Sequence, residues 1–255
     1  MTADPPSPPD PPSPPDPSVD DERRRLTARV QALLRKAEST AFPAEAEALT
    51  AKAQDLLTRY ALDAALVESV DGGRVPVVRR VAVTGAYGSG RAMLLGAVAN
   101  ANRCVAVWDP SASVAMVVGF AVDLDVTELL WGSLVSQGEA AVAAAGPQRD
   151  RAGRSRTRSW RSAFWVAFAQ RIGQRLDDVA RTTTSEVTGV SGDLAPVLAS
   201  RQRDVDAAVR QHFPRLTRRR ARVSNGDGWA AGRQAADRAD LAARRAVTGR
   251  RGLPS

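Results

Sequence analysis

A chain of 255 residues with 44% hydrophobic side chains can bury a substantial core in one or two domains. Its 36 basic residues outnumber 28 acidic ones, for a net charge of +8, and with one cysteine and one histidine it cannot form an intrachain disulfide or a Cys/His zinc site. No apolar run approaches the length of a membrane span, and the N-terminus lacks the basic start and apolar core of a secretion signal, so a cytoplasmic location with no membrane partner is expected. At the N-terminus, Asp4-Pro5-Pro6-Ser7-Pro8-Pro9 repeats as Asp10-Pro11-Pro12-Ser13-Pro14-Pro15. Nine prolines among the first 17 residues exclude helix and ladder, so residues 1–21 are expected to be an extended, disordered tail. That tail holds five aspartates and no basic residue, which leaves 36 basic against 23 acidic side chains in the remainder.

Residues 22–68 read as a helical hairpin. Leu26, Val30, Leu33, Leu34 and Ala37 share one helical face, and Arg35 and Lys36 place positive charge in the last turn. A break is expected at residues 38–43, with Pro43 at the first position of a second helix and Glu45 and Glu47 in its first turn. Ala46, Leu49, Ala53, Leu56, Leu57 and Tyr60 form the second apolar face, and the two faces can close on each other. The run Leu33-Leu34-Arg35-Lys36-Ala37-Glu38-Ser39-Thr40, then Phe42-Pro43-Ala44-Glu45-Ala46-Glu47-Ala48-Leu49, Ala53-Gln54 and Arg59-Tyr60-Ala61-Leu62-Asp63, resembles the bacterial and phage family called domain of unknown function 2786. The region after it, roughly Val81 to Val247, is similar in layout to what often follows that hairpin. The resemblance implies the hairpin architecture and an actinobacterial or phage-related source, and it assigns no catalytic residue.

After a linker at Asp71-Gly72-Gly73, an α+β domain is expected over residues 75–248. Val77, Arg79, Val81 and Val83 alternate as a strand, Gly85 to Gly90 make a turn, and Ala92 to Asn102 a helix. Cys104–Trp108 and Val114–Phe120 read as strands joined by the hairpin loop 109–113. Helices are expected at about Leu124–Ala145, Arg158–Arg181, Pro196–His212 and Gly228–Val247, with a loop at 182–192. The order is αα, then βαββα around a small mixed or antiparallel sheet, then three helices.

Gly85-Ala86-Tyr87-Gly88-Ser89-Gly90-Arg91-Ala92 lies where phosphate loops sit, and its glycines have G-x-x-x-x-G spacing. A phosphate loop next needs Lys and Ser or Thr, and this chain has Arg91 and Ala92. Gly88, Gly90 and Arg91 are the candidate phosphate ligands, against a plain turn. No catalytic residue, metal ligand or cofactor is assigned. Asp123, Asp125 and Glu128 at the start of a long helix suit capping and the helix dipole.

Trp160, Phe164, Trp165, Phe168, Ile172, Leu176 and Val179 form a broad apolar stripe, and Arg161 and Arg175 fall inside it. Either these two pair with an acid such as Asp125 or Glu128, or they join the aromatics in a nucleic-acid groove. Arg149, Arg151, Arg154, Arg156 and Arg158 precede that helix with Asp150 as the one acid among them, and Arg215, Arg218, Arg219, Arg220 and Arg222 make a second cluster. Such runs suit phosphate contacts and equally suit solvated linkers. With Lys36 and Lys52 the only lysines, the arginine content also fits a GC-rich coding bias. The leading expectation is a non-enzymatic nucleic-acid binder using Arg154, Arg156, Arg158, Arg161, Arg175, Arg218, Arg219 and Arg220. A protein-interaction module built on the hairpin and a phosphate- or nucleotide-handling enzyme at Gly85–Arg91 stand beside it.

Overall fold

The computed structural model describes residues 25–26, 28–33, 35–36, 39, 49, 52–53, 55–65, 75–188, 194–216 and 225–238. The proline-rich tail, the turn around Pro43, the linker at 71–73, Arg218, Arg219 and Arg220, and the end of the last expected helix lie outside them. The chain is a mostly helical α+β protein: N-terminal helical segments, a three-stranded antiparallel sheet with its helices, then long C-terminal helices.

The described residues of 25–39 and 49–65 are helical, including Ser39, so the first helical stretch reaches into the expected break. Strands β1 (Val77–Ala82), β2 (Val105–Asp109) and β3 (Val114–Gly119) lie in the order β1-β3-β2. β3 pairs antiparallel with both neighbours, with Ala115 opposite Val81 on one side and Trp108 on the other. β1 and β2 therefore run parallel, and helix α1 (Gly88–Ala101) makes the crossover that parallel strands require. Between β2 and β3 the Asp109 carboxylate accepts hydrogen bonds from the Ser111 amide (2.9 Å) and hydroxyl (2.6 Å), which closes the hairpin loop.

Both faces of the sheet are covered, so central β3 is apolar throughout rather than alternating. Val81, Ala115 and Val117 pack with Ala92, Leu95 and Ala99 of α1 and with Leu124 of α2 (Ala121–Ala145). Val118 packs on the opposite face with Val205 of α4 (Leu194–His212), beside Phe120.

Helix α3 (Thr157–Thr188) is the central rod. Trp160, Phe164, Trp165, Phe168, Ile172 and Leu176 share one core cluster with α1, α2, α5 (Gly226–Arg238) and Val30, Ala53 and Leu57 of the N-terminal helices. On the side opposite the stripe Ala163 and Val166 are buried, while Gln170 and Gln174 are exposed. α3 also runs through Thr182–Thr188, where a loop was expected. There Glu186 pairs with Arg59 of the N-terminal helices (3.1 Å), and tertiary contact overrides the weak helix propensity of a Thr/Ser run.

Glycine sets the closest approaches to α3. A Cβ on Gly90 would lie 2.5 Å from Cβ of Trp165, and one on Gly138 would lie 2.5 Å from the same indole. On α5, Gly228 and Gly232 sit directly against the backbone at Trp160 and Phe164. Asn225 starts α5: its Oδ1 accepts from the Gly228 amide (2.9 Å), and its Nδ2 donates to the Ser159 hydroxyl of α3 (3.1 Å).

Candidate functional site

The arginine-rich segment before α3 is an ordered loop, closed by a bridge between Arg149 and Ser155. Asp150 organises it. Its Oδ1 accepts from the amides of Ala152 (3.0 Å) and Arg154 (2.9 Å), and its Oδ2 from Nε of Arg154 (2.8 Å). The Arg154 amide first, then the Arg154 guanidinium and the Ala152 amide, hold the Asp150 carboxyl below its usual pKa. Gly153 supplies the left-handed backbone the loop needs, at φ 77°. Arg149 donates to the Gly153 carbonyl (2.8 Å). Arg151, Arg156 and Arg158 are exposed and have no ion-pair partner among the described residues.

Arg161 is half-buried at the start of α3, and its Nε is covered without a hydrogen-bond partner among the described residues. Arg175 donates to the carbonyls of Ala236 and of Asp237 (3.2 Å), so it caps the C-terminal end of α5. The acids expected to pair with these two arginines pair with another: Arg79 of β1 reaches Asp125 (2.8 Å) and Glu128 (3.5 Å). Burial opposes the Arg79 charge, and the two carboxylates more than offset it, so its pKa is raised. The aromatic stripe between Arg161 and Arg175 is core, with Trp160, Phe164 and Phe168 stacked in series at 5.5 and 5.7 Å.

At the β1–α1 turn, Gly88 begins the helix, with Tyr87 in the left-handed region before it (φ 67°). Gly90 lies against Trp165 near its Cβ, and a Cβ on Gly88 would lie 3.6 Å from the Trp108 ring. Arg91 donates to the Thr84 carbonyl (2.6 Å), pairs with Glu139 (2.6 Å) and lies over the Trp165 ring at 5.4 Å. The three candidate phosphate ligands thus make contacts that serve packing of the turn on α2 and α3.

One constellation escaped the sequence reading. Asp123, in the first turn of α2, is buried and accepts from Arg103 (2.5 Å) and from Arg201 of α4 (3.2 Å). Arg201 also stacks on the Phe120 ring at 3.6 Å. Arg103 sits two residues past the end of α1, after the cap residue Asn102, at φ 60°; its amide donates to the Asn100 carbonyl and the Cys104 amide to the Ala99 carbonyl. That is a Schellman ending, whose left-handed position is ordinarily glycine. Beside Arg103, a cleft of about 920 Å³ opens between the end of α1, α3 and α4. Arg103 and Asp123 lie far before Arg201 in the chain, so no local spacing signals the triad.

Among the described residues, no group of three or more His, Cys, Asp or Glu side chains is placed to hold a metal ion, and no helix is long and apolar enough to cross a membrane. No curated protein and no solved structure matches the chain. Residues 25–64, the N-terminal helical stretch whose Val30, Ala53 and Leu57 enter the shared core, match the model of the family DUF2786, described as a protein of unknown function.

Proposed function

We propose that the protein binds nucleic acid without catalysing a reaction on it, and that the loop before α3 supplies the phosphate contacts. The observation that carries this reading is the fate of Asp150. The loop's one acid is committed to holding the loop's own shape, and among the described residues Arg151, Arg156 and Arg158 are exposed with no carboxylate within ion-pair distance. A fixed frame lowers the entropy that long cationic side chains lose on binding phosphates. Each phosphate neutralised releases counterions, so binding must weaken steeply with salt.

Fluorescence anisotropy with single- and double-stranded DNA and RNA, at low and physiological salt, tests it. The triple variant R151A/R156A/R158A should bind at least roughly tenfold more weakly and lower the slope of log K against log salt by about 2–3. Arg203→Ala, an exposed change on α4, should leave binding unaltered. Absence of binding at low salt, or an unchanged slope in the triple variant, would overturn the proposal.

A further inference from the structure

We propose that the cleft between α1, α3 and α4 is a second binding site, for a small molecule that carries a carboxylate or phosphate, with Arg103 as the cation that anchors it. Three observations converge on Arg103. It occupies a left-handed backbone position that glycine would hold without strain (φ 60°). Among the described residues its guanidinium makes one hydrogen bond, through Nη2 to Asp123, which leaves the other N–H groups of a partly exposed fork to donate. The same side chain lines a cleft large enough for a small metabolite. A strained residue with hydrogen-bond capacity to spare, at the wall of a cavity, has a physical explanation if the cavity holds an acceptor.

The other walls complete the chemistry. α3 contributes Asp177, Arg181 and Thr184, successive turns of one helical face, and α4 contributes Gln202. Arg181 pairs with exposed Asp178 on the surface of α3, so it can swing toward a bound anion at little cost. Asp177 disfavours a second negative charge and suits a hydroxyl or ammonium on the ligand body. Asp123 fixes the Arg103 fork from behind, and Arg201 balances that carboxylate, so Arg103 is oriented before any ligand arrives. The site is independent of the nucleic-acid reading. Asp177 lies about 30 Å along α3 from Arg158, at the rise of an α-helix.

Isothermal titration of the full chain with 3-hydroxybutyrate, glycerol phosphate and inorganic phosphate separates the two oxyanion sources. The expected result is saturable binding of 3-hydroxybutyrate or of the phosphates, weakened roughly tenfold or more by Arg103→Lys, which keeps the charge but loses the fork. Ala199→Trp tests the cleft without touching the ion triad, because Ala199 is an exposed residue of its wall. It should abolish binding while the unfolding midpoint stays at the wild-type value. No binding by any of the three probes at millimolar concentration, or equal binding by wild type and Ala199→Trp, would overturn the proposal. Oligonucleotide anisotropy should be unaffected by Ala199→Trp, so failure of one site is distinguishable from failure of the other.

Discussion

Removing the Asp123 carboxylate leaves two guanidinium groups facing each other inside the protein. The Arg201 side chain is 8% exposed and that of Arg103 17%, so Arg201 above all has little water to replace the lost carboxylate. Breaking a buried pair in this way costs about 3–5 kcal/mol. Asp123→Ala should therefore lower the urea midpoint by that amount of stability with an unchanged slope; a loss below about 1 kcal/mol would mean the pair behaves as a surface one. Next to it, burial first and the Asp123 charge second push the Cys104 thiol up from 9.0 to about 12. The folded state keeps the thiol proton over that interval while the unfolded chain loses it. The thiol's contribution is thus complete below about pH 9 and is lost as pH rises toward 12. Urea midpoints across alkaline pH should fall more steeply for wild type than for Cys104→Ala, and parallel curves would refute the linkage. Asp123 was legible as a residue of a helix first turn, where capping explains it equally well. The α2 N-cap is Phe120, which makes no side-chain capping bond, and what holds Asp123 is its contact with Arg103 and with Arg201 of α4, which no sequence period encodes.

Helix α1 contains its own controlled comparison. Gly90 and Gly96 lie in the same helix, and a Cβ at Gly96 would meet nothing within 4 Å. Gly96→Ala should stabilise by about 0.5–1 kcal/mol through helix propensity alone. Gly90→Ala must push the Trp165 indole and should cost about 1–3 kcal/mol, with a change in the near-ultraviolet circular dichroism of the buried indoles. Equal effects of the two changes would show that α1 and α3 are not in the contact described. This pair also explains the lure of the Gly85–Gly90 turn. Glycine spacing reports that something approaches the backbone closely, and at Gly90 the approaching group is Trp165 of α3. Strands, the β2–β3 hairpin and the order of helices were readable because each rests on local periodicity and turn chemistry. The extension of α3 to Thr188 was not, since Thr182, Thr183 and Thr184 are poor helix formers and their conformation depends on neighbours on other elements.

Over the whole molecule, the N-terminal helices that carry the family match share a core with the α+β part. Val30, Ala53 and Leu57 belong to the same cluster as Leu94, Phe164 and Trp165, and the Arg59–Glu186 pair adds a polar tie. The hairpin was legible as two apolar faces able to close on each other; that these faces also serve a third surface was not, because amphipathicity marks which side of a helix is buried and not against what. Shared burial further implies that the two parts unfold together. Leu57→Ala, at a site 4% exposed, should cost about 2–5 kcal/mol. The loss should appear at one common midpoint in tryptophan fluorescence, which reports on residues 108–229, and in far-ultraviolet circular dichroism, which reports on all helices. If the fluorescence midpoint stays at the wild-type value while part of the helical signal melts early, the N-terminal helices fold as a separate unit and the shared core is not cooperative.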